Sequence, residues 1–317
     1  QAFKALNLLV VIDVAMTETA QLADYVLPAS SQFEKVEASF FTFANDYQGK
    51  ATNFFNLRKP VTTPKANTLS EAEIYWRLTV ALGAIPERIP ALEAAAKVDR
   101  KFPESRAYPL ALAAYFKMNP KMQPFAPAIL YSTLGKALPK GMENAALIWG
   151  VCQFYVQRWQ KQVQATGLTG KGMILGRQLF DRFLNNDTAM PISSFDLEVD
   201  TWKLLKHKDK KIHLAIPELL AQLAALPTEM SQATNSEYPM ILMAGERRSY
   251  NANQIFRDPA WRKADKEGAL RLHSQDALAL AITDGEKVYC ETNKGKVLVT
   301  VKFDDNMRQG TMSLPHG

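Results

Sequence analysis

Five consecutive apolar residues, Leu8-Leu9-Val10-Val11-Ile12, stop at an acid, Asp13. A strand that is apolar on both faces has to be covered on both faces, which is the situation of a parallel strand inside an α/β sheet. Thr17-Glu18-Thr19 supplies an N-cap candidate with an early acid, so a short helix is expected through about Ala23. Asp24-Tyr25-Val26-Leu27-Pro28 then reads as a second short strand closed by proline. Strand, helix and parallel strand make a βαβ unit, and its switch-point loop holds Asp13.

Further along, Phe33 to Phe55 reads as a loop rich in aromatics, and Ser70-Glu71-Ala72-Glu73-Ile74-Tyr75-Trp76 opens an amphipathic helix ending near Gly83. From Pro86 to Gln164 the pattern is helical, with Pro109, Pro120, Pro124, Pro127 and Pro139 expected to break it into pieces. Phe116, Phe125, Tyr131 and Trp149 are expected to pack a core there. Gly176 to Met230 reads as a connector, with a small strand at Lys211-Ile212-His213-Leu214 and a helix after Pro217.

The character changes at Tyr238. Pro239-Met240-Ile241-Leu242-Met243 is a strand leading into Ala244-Gly245, and Leu272 to Ile282 reads as a strand end plus a helix capped by Ser274. Asp284-Gly285 turns the chain into Lys287–Thr292, and Asn293-Lys294-Gly295 is a hairpin turn before Val297–Val301. Two domains are expected, residues 1–235 with a helical and connector insertion at about 86–235, then a β-barrel over 236–317.

The 317 residues are 47% hydrophobic and 22% charged, enough for a buried core in each domain. The net charge of +6 is spread among acids, apart from Lys206, Lys208, Lys210 and Lys211, which fits a solvated basic surface rather than a nucleic-acid partner. It also suits a polyanionic dinucleotide. Two cysteines, Cys152 and Cys290, stand far apart in apolar settings and are expected to be inert core thiols, and the four histidines lack metal-ligand spacing. No apolar run approaches the roughly 18 residues of a membrane span. The chain opens on Gln1-Ala2-Phe3-Lys4 and almost at once enters a strand, so we expect it to begin in mid-protein, where a missing leader says nothing of the compartment; a cytoplasmic location is a separate expectation.

Leu9-Val-Val-Ile-Asp13, Thr17-Glu-Thr-Ala20, Ala23-Asp-Tyr-Val-Leu-Pro28 and Phe33-Glu-Lys35 together resemble the dimethyl-sulfoxide-reductase superfamily of molybdopterin oxidoreductases. The large iron–sulfur subunit of respiratory complex I shares this signature. A second group is more specific: Ala244-Gly-Glu-Arg-Arg-Ser-Tyr-Asn-Ala-Asn-Gln-Ile-Phe-Arg-Asp-Pro259, then Asp276-Ala277, Asp284-Gly285 and Gly310-Thr-Met-Ser-Leu-Pro-His-Gly317. It looks like that family's dinucleotide-binding barrel.

The resemblance implies an α/β fold: a partial Rossmann-like parallel-sheet domain with a helical insertion, followed by a six-stranded double-psi β-barrel truncated at its end. It implies a bis(molybdopterin guanine dinucleotide) cofactor with molybdenum or tungsten. Asp13 would accept paired N–H donors from guanine or hydroxyls from a ribose, and Lys35 would neutralise a phosphate or meet a guanine carbonyl. Glu73, or failing it Glu71, falls where the family has an acid near the same nucleotide; an ordinary first-turn glutamate is the other reading. Gly245 would let the backbone approach the cofactor, with Arg247 and Arg248 on the diphosphate or pterin and Ser249, Asn251 and Asn253 along a pterin edge. Relatives with Thr-Gly-Arg at this loop allow the arginine assignment to slip by one, and pairing of Arg247 and Arg248 with Glu246 or Asp258 would make them structural.

No catalytic residue, metal ligand or cluster ligand is expected within the chain. In this family the protein's metal ligand and any iron–sulfur cluster belong to an earlier part of the sequence, so the expected partners are that N-terminal half, an electron-transfer subunit and a small-molecule substrate. The favoured function is the cofactor-holding part of a formate-dehydrogenase or nitrate-reductase-like enzyme, inactive alone. A non-catalytic paralogue like the complex I subunit and a plain nucleotide-binding interaction module are the alternatives.

Overall fold

The computed structural model describes residues 2–45, 50–231, 234–245 and 268–315. They fall into two units, Gln1–Lys211 and Ile212–Gly317. The first carries a mixture of helices and two sheets, and the second a mixed five-stranded sheet with one short helix packed on it.

In the first unit the apolar run becomes β1 (Val10–Asp13), parallel to β2 (Tyr25–Pro28), with Asp13 opposite Pro28. The connecting helix is a single 3-10 turn, Ala20–Leu22, where the Thr17 hydroxyl accepts from the Ala20 amide at 3.2 Å. The expectation of burial on both faces is not met. The two strands form a sheet of their own, and Val10 and Tyr25 stay 41% and 65% exposed because nothing among the described residues covers that sheet fully.

The aromatic stretch expected as a loop is instead a hairpin. Strand β3 (Glu37–Asn45) pairs antiparallel with β4 (Lys50–Arg58). Its partner on the far side, β5 (Met190–Asp196), falls inside the expected connector. Aromatic and β-branched residues suit a pleated surface covered on one side, and β4 alternates accordingly, with Phe55 and Leu57 buried toward the helices. The Phe55 ring lies 4.1 Å from that of Phe183.

Helix α1 (Glu71–Ala81) starts at Ser70, whose hydroxyl accepts from the Glu73 amide, and ends just before Gly83, which holds φ +68°. Helices α2 (Pro90–Lys101), α3 (Ala107–Met118), α4 (Ala126–Thr133), α5 (Ala146–Gln164) and α6 (Gly172–Leu184) build the core. Pro109 and Pro127 sit in first turns, where a missing amide costs nothing, so they do not break their helices. Trp149 is buried edge-on to Tyr108 at 5.2 Å, Phe116 and Phe125 pack on the same core, and Tyr131 meets Trp76 at 5.9 Å.

Gly176 lies in the middle of α6 and not in a connector. A Cβ there would come within 2.6 Å of the end of the Gln153 side chain on α5, so the glycine leaves room for that side chain. After α7 (Leu197–Leu204), the segment 211–214 forms no strand; Ile212 and Leu214 stand 61% and 89% exposed without a pairing partner. A helix does follow Pro217, α8 (Pro217–Ser231).

The second unit's sheet combines β6 (Ile241–Gly245), β7 (Leu270–Leu272), β8 (Lys287–Thr292), β9 (Gly295–Phe303) and β10 (Thr311–Pro315) in the order β6-β10-β7-β9-β8. The pairs β6/β10 and β7/β9 are parallel, while β10/β7 and β8/β9 are antiparallel. Leu272 and Val301 pack under α9 (Ser274–Ala279) through Ala277. The cap of α9 is His273, whose Nδ1 accepts from the Gln275 amide at 3.1 Å; the Ser274 hydroxyl expected in that role donates to Asp305 at 2.5 Å. Five strands lie among the described residues of this unit, where six were expected.

Candidate functional site

Three chain segments end side by side at the C-terminal edge of the parallel pair. The Ala29 amide donates to the Asp13 carbonyl at 3.0 Å, carrying β2 past the end of β1. Ala29 then bridges to Leu69 in parallel, with Leu69 donating to Pro28 at 3.2 Å and Ser30 to Leu69 at 2.8 Å. Ser70, one residue on, caps α1. Asp13, buried Ser30 and the start of α1 therefore share one edge, the position where parallel α/β sheets present their ligand loops.

Asp13 is half-buried there, and its Oδ1 accepts from the Ala15 amide at 3.1 Å, which fixes the carboxylate in a turn of its own backbone. Among the described residues its Oδ2 takes no hydrogen bond. An oriented carboxylate with a free oxygen is an acceptor for paired N–H or hydroxyl donors.

The loop after Ser30 is pinned from inside. Glu34 is buried and accepts from the amides of Ser31 at 2.7 Å and Lys65 at 3.0 Å. The Ser31 amide first, then the Ser31 hydroxyl and the Lys65 amide and charge, hold its carboxyl below the ordinary value against the opposing effect of burial. Lys35 is buried too, and its ammonium is bound by Glu71 and lies 3.4 Å from Glu37.

Of the two acids expected near the nucleotide, the structure brings Glu71 to Lys35. Glu73 faces Arg77 instead, at 2.5 and 3.0 Å; burial first, and Glu73 after it, push the pKa of the Tyr131 hydroxyl above its ordinary value. Two carboxylates in the first turn of α1 disfavour a phosphate at that helix end, and the charge of Lys35 is already matched. The edge thus fits the donor-bearing parts of a nucleotide, a guanine or ribose, better than its phosphates. Ser30 and the Lys35–Glu71 pair were not singled out in the sequence.

In the second unit, Gly245 closes β6 opposite Pro315 of β10. Arg247, Arg248, Ser249, Asn251 and Asn253 lie outside the described residues. Two acids of the matching motif act as staples: Asp276 accepts from the Gly310 amide at 2.8 Å, and Asp284 from the Phe303 amide at 2.7 Å. Each closes a turn that sets the strand following Gly310 or the end of β9.

Among the described residues no three His, Cys, Asp or Glu side chains gather as a metal site, and no helix is long and apolar enough to cross a membrane. Both cysteines are buried, and desolvation raises each thiol above its ordinary value.

Residues 1–78 match the family model described as Molybdopterin oxidoreductase, and residues 240–317 match the Molydopterin dinucleotide binding domain. The two ends of the chain thus match two domains of molybdopterin oxidoreductases. An acetylene hydratase of Syntrophotalea acetylenica is 34% identical over 94 residues, 29% of this chain and 13% of the relative. A trimethylamine-N-oxide reductase of Haemophilus influenzae is 21% identical over 100% of this chain, and an F420-dependent formate dehydrogenase 1 subunit alpha of Methanococcus maripaludis is 24% identical over 99%. The chain spans 33% and 35% of the length of those two relatives. A solved acetylene hydratase from Pelobacter acetylenicus aligns over 98% of this chain and 33% of its own, with 20% identity and a TM-score of 0.44.

The cofactor these domains serve is bis(molybdopterin guanine dinucleotide) with molybdenum or tungsten. Asp13 fits that group through its oriented, partly free carboxylate. Lys35 fits it less well, since its charge is bound within the unit.

Proposed function

We propose that this chain is the C-terminal cofactor-holding part of a formate-dehydrogenase or nitrate-reductase-like molybdoenzyme. The observation that carries the reading is the position of Asp13 at the C-terminal edge of β1, inside the segment that matches the oxidoreductase model. In this reading the Asp13 carboxylate accepts from guanine or ribose, and the buried Glu34 and Lys35 hold the neighbouring loop in shape for it. Gly245 lets the second unit's backbone approach the cofactor, and Arg247, Arg248, Ser249, Asn251 and Asn253 line it.

The first unit is in this reading part of a Rossmann-like domain. The crossed parallel pairs β6/β10 and β7/β9 support a double-psi barrel for the second. When bound, the metal and its dithiolenes supply two-electron redox chemistry; this chain's residues bind and orient. The metal ligand, any iron–sulfur cluster, the substrate funnel and an electron-transfer subunit lie outside the chain, and the assembly works in the cytoplasm.

Heat denaturation of the full-length protein, with mass spectrometry of what is released, tests this. The reading expects guanine nucleotide together with molybdenum or tungsten. Protein that carries neither after expression in a cofactor-competent host contradicts it.

A further inference from the structure

A cavity of about 520 Å³ lies within the first unit, between the β4 and β5 strands and helices α5 and α6. It is large enough for a small-molecule ligand, and its wall is almost entirely carbon, from side chains such as Phe55, Cys152, Phe183 and Ile192. Asp196 and Asp200 are the carboxylates on the lining among the described residues, and they disfavour an anionic occupant.

One polar cluster interrupts that wall. The Asn53 side-chain Nδ2 donates to the hydroxyls of Tyr155 at 3.2 Å and Ser193 at 3.0 Å, and those two oxygens are 2.5 Å apart. Asn53 and Tyr155 line the cavity, and the Asn53 carbonyl Oδ1 is buried without a donor among the described residues. Of the two hydroxyl protons, one is used between Tyr155 and Ser193. The cluster is therefore left with one acceptor and one spare donor.

The geometry points to a binding site for an uncharged, largely apolar small molecule with one hydroxyl, its hydrocarbon body among the aromatic and aliphatic side chains and its hydroxyl at Asn53 and Tyr155. A single hydroxyl both donates and accepts, which is the pair of functions the cluster lacks. The site uses none of the residues at the Asp13 edge.

The test is calorimetric titration of the full-length, cofactor-loaded protein with 2-naphthol and with 2-fluoronaphthalene, which has the same shape without the hydroxyl donor. Saturable one-site binding of 2-naphthol is expected, about tenfold tighter than 2-fluoronaphthalene. Asn53→Leu should remove the preference. Val151→Trp, at a lining position that is 46% exposed and so tolerant of bulk, should weaken both ligands about tenfold without moving the unfolding midpoint. Absence of saturable 2-naphthol binding, equal affinity for the two ligands, or unchanged binding in Val151→Trp would overturn the proposal.

Discussion

The ammonium of Lys35 is bound by the carboxylate of Glu71 at the head of α1 and lies 3.4 Å from that of Glu37. The lysine that the family signature suggests for a nucleotide is thus a pin joining the loop after Ser30 to α1. Its side chain is 9% exposed while that of Glu71 is 44% exposed, so the pair is worth less than a fully buried one but more than a surface one.

Replacing the pin should be costly because it leaves two carboxylates facing one another. Lys35→Met is expected to lower stability by about 2 kcal/mol in urea unfolding, between the surface and buried limits. In the double variant with Glu71→Leu part of that loss should return, with a coupling of about 1 kcal/mol. Strict additivity of the two single changes would show that the contact carries no energy.

Glu34 gives the same loop a pH dependence. Its folded carboxyl is held below the ordinary value, chiefly by the Ser31 amide, so its contribution is complete above the unfolded value of about 4.3 and is lost as pH falls through the lower folded value. The stability gap between the parent protein and Glu34→Gln should be widest near neutral pH and close on acidification below about pH 4. Urea titrations across that range measure it, and a gap independent of pH would rule the linkage out.

Two helical-region glycines should behave differently when changed to alanine. At Gly135 an added Cβ meets the backbone carbonyl of Glu143 at 2.9 Å, which cannot move aside locally, and a loss of about 1–3 kcal/mol is expected. At Gly176 the atoms nearest an added Cβ all belong to the end of the Gln153 side chain, which can swing away, and helix propensity returns up to about 1 kcal/mol. Gly176→Ala should therefore unfold within about 1 kcal/mol of the parent. Equal losses at both positions would contradict this account of the two glycines.

The features legible in the sequence were those set by neighbours along the chain. The apolar run into Asp13, the helix start at Ser70 and the turn at Asp284-Gly285, where Gly285 holds φ +84°, are all local signals. From sequence alone the β3–β4 hairpin reads as a loop because its stabilising partner is remote: Asn53 bonds to Ser193, 140 residues away. Gly176 reads as the start of a connector because its reason, the Gln153 side chain on the preceding helix α5, is not a local signal. At the site, Asp13 was visible as the acid ending a strand, but the choice of Glu71 over Glu73 for Lys35 depended on how α1 is rotated, which spacing alone does not fix.

The central claim is that the edge holding Asp13 grips the guanine nucleotide, and it is tested most directly by cofactor retention. Full-length Asp13→Ala and Asp13→Asn proteins, purified beside the parent, should show matching thermal unfolding of the apo forms. Released guanine nucleotide per protein should fall steeply in Asp13→Ala, by about tenfold for one lost charge-assisted pair. Asp13→Asn, which keeps one acceptor, should lie between. Guanine content in folded Asp13→Ala equal to that of the parent would contradict the account.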